Sequence, residues 1–97
     1  MKEIRSTSDF DKFEANLKDV VGRARIQARI RRLCEGNAGD HRVLKHGVCE
    51  MRVHVGPGYR VYYVLREDGT IVVLLAGGDK STQQTDIERA YELAAQL

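Results

Sequence analysis

The sequence predicts an α+β fold: an antiparallel β-sheet of about four to five strands, an N-terminal helical hairpin packed on it, and a C-terminal helix. Three observations predict it. Apolar residues recur at helical spacing over residues 10–34 and again over 87–95, whereas residues 41–76 alternate or run continuously apolar as strands do. Gly56-Pro57-Gly58 and Glu67-Asp68-Gly69 separate those runs as tight-turn signals. The 97 residues suit one domain, 1–97, with a single modest core.

Lys2 to Arg5, with Ile4 as its one large apolar residue, reads as an edge strand. Ser8-Asp9-Phe10-Asp11 reads as a helix start, with the Ser8 hydroxyl as cap and the acids at the positive end of the helix dipole. Phe10, Phe13 and Leu17 form the buried stripe of this first helix, which is expected to end near Asp19. A second helix is expected from about Val20 to Glu35, burying Ile26, Ile30, Leu33 and Cys34. Gly22 weakens helix and is read as a break between the two. The second helix also carries Arg23, Arg25, Arg29, Arg31 and Arg32. These fit a solvated face, a ribosomal RNA contact or a dock for an acidic partner.

Gly36 or Asn37 suits the left-handed cap that ends this helix, and His41 to His46 reads as a strand. The central hairpin follows. With residues 56–58 as its loop, Val55 faces Tyr59, His54 faces Arg60, Val53 faces Val61 and Arg52 faces Tyr62. One face then carries Cys49, Met51, Val53, Val61 and Tyr63, which want a core; the other carries Glu50, Arg52, His54, Arg60 and Tyr62. Thr70 to Ala76 is a continuously apolar strand covered on both faces, and a turn at 67–69 sets Arg60 opposite Ala76. Ser81-Thr82-Gln83-Gln84 has the form of a capping box for a last helix that buries Ile87, Ala90, Tyr91, Ala94 and Ala95.

Composition narrows the partners. No apolar run is long enough to span a bilayer and no signal segment opens the chain, so the expected location is the cytoplasm, without membrane contact. Cys34 and Cys49 have no metal-ligand spacing and are expected to be reduced; no metal or cofactor is expected. Residues 1–60 hold 13 Lys or Arg against 8 Asp or Glu, whereas residues 61–97 hold 3 against 6. That placement favours a polyanion or an acidic protein as partner.

The two turns bring Arg52, His54, Arg60, Tyr62, Lys80 and a helix N-terminus towards one area. Arginine forks bind phosphate in a bidentate way, lysine adds a point charge, and helix N-terminal amides favour anions. Such a site binds nucleic acid, or cleaves RNA when the ribose 2′-hydroxyl attacks the adjacent phosphate and the cations stabilise the growing charge. Each residue also has a plain structural reading: Arg52 with Glu50 as a surface charge pair, Tyr62 as half-buried strand material, His54 as a surface histidine, and Lys80 as a solvated loop lysine.

Gly56-Pro57-Gly58-Tyr59-Arg60-Val61-Tyr62-Tyr63, followed by Leu75-Ala76-Gly77-Gly78-Asp79-Lys80-Ser81-Thr82-Gln83-Gln84 and a helix, resembles the RelE/ParE superfamily of bacterial toxins, and within it the HigB-like killer proteins of addiction modules. The similarity extends over essentially the whole chain. It implies the toxin of a type II toxin–antitoxin system that cleaves messenger RNA in the ribosomal A site without a metal. A cognate antitoxin, a small helix-turn-helix protein, would neutralise it. The alternative implied by the same fold is a ParE-like, non-enzymatic poison of DNA gyrase.

Carried over by position, Arg60 would stabilise the charge on the phosphorane-like species, Lys80 would bind or protonate near the scissile phosphate, and Arg52 would orient the backbone. Tyr62, Asp79, Ser81 and Gln83 complete the expected substrate-binding set. RelE-like enzymes often carry a tyrosine or histidine early in the last segment, where this chain has Gln83-Gln84-Thr85-Asp86. His54 and Glu50 are therefore the candidates for the general base.

Overall fold

A computed structural model describes residues Met1–Leu97. The elements run β1 (Glu3–Ser6), α1 (Ser8–Asn16), α2 (Val20–Cys34), β2 (His41–Val43), β3 (Cys49–Val53), β4 (Tyr59–Arg66), β5 (Ile71–Asp79) and α3 (Gln83–Ala95). They form one five-stranded sheet in the order β1-β5-β4-β3-β2. The expected α+β architecture is present, with one difference. Strands β2 to β5 are an antiparallel meander, but β1 pairs with β5 in parallel, so the sheet is mixed. No helix is long and apolar enough to cross a membrane.

Both faces of the sheet are covered. On one, α1 and α2 bury Phe10, Ile26, Ile30 and Leu33 against Met51, Val53, Tyr59, Val61 and Tyr63. On the other, α3 buries Ala90 and Leu93 against Val48, Tyr62, Val64, Val73 and Leu75. Removing a leucine such as Leu93 from water contributes about 2 kcal/mol, so α3 is held mainly by packing. Ala95, expected in that stripe, is exposed, and Leu93 takes the buried place.

The cap of α1 is Thr7, not Ser8: its hydroxyl accepts from Phe10 N and donates to Leu75 O at 2.5 Å. Thr7 N donates to Leu74 O, so the β1–α1 junction is fastened to β5. Helix α1 stops at Asn16, short of Asp19. Asp19 instead caps α2 by accepting from Gly22 N. Gly22 is thus inside α2 rather than a break, and its reason is space. A Cβ there would stand 2.7 Å from Asp19 Oδ2 and nearer still to Tyr59 Cε2. Tyr59 Oη donates to Asp19 Oδ2 at 2.8 Å, which pins the hairpin to the α1–α2 junction. The strand expected over His41–His46 ends at Val43, because His46 takes φ 60° in a 3-10 turn over Lys45–Gly47.

Register decides what the α3 face displays. In the β3–β4 hairpin, Val53 pairs with Tyr59, Arg52 with Arg60, Met51 with Val61 and Glu50 with Tyr62. This is a two-residue slide from the expected pairing, so every strand residue keeps its expected face. Between β4 and β5, Arg66 pairs with Ile71, one residue beyond expectation, which alone would turn the faces over. A bulge at Tyr62/Tyr63 adds a second residue and restores them. The net effect is to set Arg60 opposite Gly78, two residues nearer Lys80 than Ala76.

Candidate functional site

Two rows of side chains cross the sheet beneath the start of α3. One runs Arg42, Glu50, Tyr62, Ala76 over β2, β3, β4 and β5; the next holds Arg52, Arg60 and Gly78. Directly opposed like charges repel across a ladder, so the Arg52–Arg60 pair is a cost to the sheet. The sequence places it there regardless, beside a turn that brings in a third cation. A Cβ on Gly58 would lie 3.0 Å from Arg60 Nη1 and 3.9 Å from Lys80 Cβ, which sets Arg60 and Lys80 around the hairpin loop. Arg60 Nη1 donates to Gly58 O at 2.6 Å, and its buried Nε has no partner within the protein.

Glu50 lies under these cations and is fully buried. Its Oε2 accepts from Tyr62 Oη at 3.0 Å and from Gln83 Nε2 at 2.9 Å. Arg42 Nη2 lies 3.3 Å and Arg52 Nε 3.5 Å from its Oε1. Burial pushes the carboxyl up, but the hydrogen bonds from Gln83 and Tyr62 and the charges of Arg42 and Arg60 outweigh it and hold it below the usual glutamate value. It is an ionised anchor. Tyr62 is raised well above an ordinary tyrosine, by burial first and then by Glu50. It is fully buried, not half-buried.

The strand-to-helix segment is built differently from its expected form. Asp79, not Ser81, is the capping residue: its Oδ1 accepts from Ser81 N at 2.8 Å and Ser81 Oγ at 2.5 Å, closing a 3-10 turn over Lys80–Thr82. The Ser81 hydroxyl hydrogen bond, with the backbone amides and the charge of Arg60, lowers the Asp79 pKa against the opposing effect of burial. Gln84 reaches Glu88 rather than the helix start. Lys80 is exposed at the turn.

Of the nine expected residues, Glu50, Arg52, Arg60, Tyr62, Asp79, Lys80, Ser81 and Gln83 gather around this end of the α3 face. His54 does not. It follows the end of β3, pairs with Asp40, and lines a groove with Arg25, Arg29 and Arg32 of α2. Its expected partner is taken because β3 ends at Val53 and residues 54–58 all belong to the connection. Within that groove Arg29 is occupied structurally, donating to Arg52 O, Ala38 O and Asp40 O, while Arg25 and Arg32 are exposed.

Two residues of this face were not in the expected set. Arg42 was out of reach, since nothing in the sequence fixes the β2–β3 register. Asp86 carried a signal, as an acid in the first turn of α3. Its Oδ2 accepts from Thr82 Oγ1 at 2.6 Å and packs on Gly78, leaving no room for a Cβ there. Burial raises its pKa and the charge of Asp79 adds to this, against the hydrogen bond from Thr82. The molecule's largest cavity, about 440 Å³, lies away from all of these residues, between His46, Tyr91 and the end of α3. The cation surface is open, a form that admits a polymer more readily than an enclosed small molecule.

Residues 8–97 match the family described as phage derived protein Gp49-like (DUF891). The chain belongs to this family. It is 45% identical over 95 residues to an uncharacterized protein of Haemophilus influenzae, covering 98% of this chain and 95% of that one. Among solved structures, the isolated Escherichia coli RelE toxin superposes with a TM-score of 0.67 at 13% identity, covering 92% of this chain and 98% of RelE. The intact E. coli RelBE toxin–antitoxin complex contributes a chain with a TM-score of 0.65 at 15% identity, 81% of this chain and 96% of that one being covered. The Gp49-like chain therefore has the RelE fold, as the turn motifs led one to expect.

Proposed function

We propose that this Gp49-like chain is the toxin of a type II toxin–antitoxin module: an endoribonuclease that cleaves messenger RNA on the ribosome in the cytoplasm and is neutralised by a small helix-turn-helix antitoxin encoded beside it. The observation that carries this reading is the opposed Arg52–Arg60 pair, with Lys80 across the hairpin loop. Glu50 offsets part of that repulsion from within the protein, and a phosphodiester fits the guanidinium donors that remain. The RelE fold and the printed name of the RelBE complex support the toxin and antitoxin parts of the proposal.

In the proposed reaction the ribose 2′-hydroxyl attacks the adjacent phosphorus and the bond to the 5′ oxygen breaks, giving a 2′,3′-cyclic phosphate and a 5′-hydroxyl. Arg60 and Lys80 stabilise charge on the non-bridging oxygens, and Arg52 orients the backbone. Glu50, buried and ionised, holds cations rather than moving a proton. Among the carboxyls of this face, Asp86 is the one whose pKa is raised, and we assign to it the proton for the leaving 5′ oxygen; water receives the 2′ proton.

The test is induction of the chain without antitoxin, followed by primer extension on translated messages. Cuts within reading frames, lost in Arg60→Ala and Lys80→Ala, are expected. Intact messages with trapped gyrase–DNA complexes would replace this reading with the ParE-like one.

A further inference from the structure

The β2 edge carries a cation that no expected role absorbs. Arg42 stands opposite Glu50 in the cross-sheet row, and its side chain is 48% exposed. One carboxylate thus faces three arginines, since Arg42, Arg52 and Arg60 all bear on Glu50. A structural ion pair needs one cation; Glu50 faces three, of which Arg52 and Arg60 also feel Asp40 and Asp79, leaving Arg42 as the cation with no other acid beside it. Glu50 Oε1 receives no well-formed hydrogen bond, so the guanidinium forks of Arg42 and Arg52 are drawn inward by charge while their N–H donors remain available to an outside acceptor. Burying a carboxylate in this way is a poor means of stabilising a fold, because desolvation offsets most of the attraction.

We propose that Arg42 extends the phosphate-binding surface to the β2 edge, and that Glu50 is the positioning residue that aims Arg42 and Arg52 at an RNA backbone. This rests on the nucleic-acid reading above. Strands β2 and β4 lie two ladder spacings apart, roughly 9–10 Å, so Arg42 and Arg60 meet different phosphates of one strand. The ligand is accordingly a single-stranded polyanion, not one phosphate ion. Gln83 ties the start of α3 to the same carboxylate, so the two arginines and the helix start share one anchor.

The experiment is an anisotropy titration of a short fluorescent single-stranded RNA with the full chain across a salt series. For Arg42→Ala the slope of log affinity against log salt should shrink by about 0.7, so that it loses roughly 2–3-fold less affinity than wild type between 50 and 200 mM salt. Arg42→Lys should keep the slope. Glu50→Gln supplies a test of sign: removing a negative charge should tighten RNA binding if Glu50 is only a charge, and should weaken it several-fold if Glu50 positions the arginines. Circular dichroism identifies a Glu50→Gln variant that fails to fold, and the Arg42 series then decides alone.

An unchanged Arg42→Ala slope, or tighter binding by folded Glu50→Gln, overturns the proposal. Wild-type chain that binds no free RNA removes this proposal, whereas the nuclease reading, whose cuts need the ribosome, is decided by primer extension on translated messages. Binding with the expected slopes but no cleavage leaves this proposal standing and removes the nuclease.

Discussion

Gly22→Ala puts two effects of opposite sign in competition. A glycine inside a helix gives up about 1 kcal/mol relative to alanine, so propensity alone predicts a gain even at the buried Gly22. At this position the added methyl would meet Asp19 Oδ2 at 2.7 Å and Tyr59 Cε2 closer still. The Tyr59 ring cannot simply swing aside, being buried and held at its hydroxyl by Asp19. Overpacking of this kind costs about 1–3 kcal/mol, and displacement of Asp19 also loosens the cap on Gly22 N. The expected net result is a loss of about 1–2 kcal/mol, which for a domain of this size lowers the Tm by roughly 4–16 °C. Urea and thermal unfolding monitored by circular dichroism read it directly. A variant more stable than wild type by about 1 kcal/mol would refute the latch between the hairpin and the α1–α2 junction.

Adjacent glycines of β5 should behave differently from one another. Gly77→Ala meets the Phe13 ring, Cγ at 2.8 Å and the ring edge nearer, and should destabilise measurably; Gly78→Ala meets the movable carboxyl of Asp86 and should cost less stability but most of the RNA cleavage. Asp79→Ala removes the cap of the 3-10 turn and should lower stability by roughly 1 kcal/mol in urea unfolding. Because the folded-state pKa of Glu50 is depressed, its contribution is present above the unfolded value near 4.5 and is lost as pH falls through the folded value. Glu50→Gln should therefore flatten the acid limb of stability against pH, by up to about 1.4 kcal/mol per pH unit. Asp86 has the opposite sign: its pKa is raised from 3.8, so its contribution is full below that value and is lost as pH rises through the folded one. Asp86→Asn should then be no less stable than wild type at neutral pH while losing cleavage and its dependence on an acid; a stable, fully active variant would remove Asp86 from the mechanism.

Much of this was legible in the residues, for identifiable reasons. Side-chain alternation survives any even register shift, so the faces of the residues within β3 and β4 were assigned correctly although the pairing was two residues off, while His54, beyond the end of β3, turned to the α2 side. The apolar stripe of α2 fixed its buried side because Ile26, Ile30, Leu33 and Cys34 repeat with the helix. What escaped depends on contacts between segments distant in sequence. Thr7 displaced Ser8 as cap because Thr7 also bonds β5, and Asp79 displaced Ser81 because the turn starts two residues early. The parallel β1–β5 pair has no local signature in four residues. At the site, the arginines and Lys80 could be named from spacing, but the burial of Glu50 and Tyr62 follows from α3 closing over their face. Arg42 entered only through the β2–β3 pairing.

The claim at the centre is that the Arg52–Arg60 pair with Lys80 cleaves RNA. Its most direct measurement is primer extension on a defined message in a reconstituted translation mixture, with wild type beside Arg60→Ala and antitoxin-free controls. Cuts that require both wild-type chain and engaged ribosomes, reduced at least a hundredfold by Arg60→Ala on the scale of a lost charge-stabilising donor, are predicted. Uncut messages under wild-type chain, or cuts undiminished in folded Arg60→Ala, would contradict it.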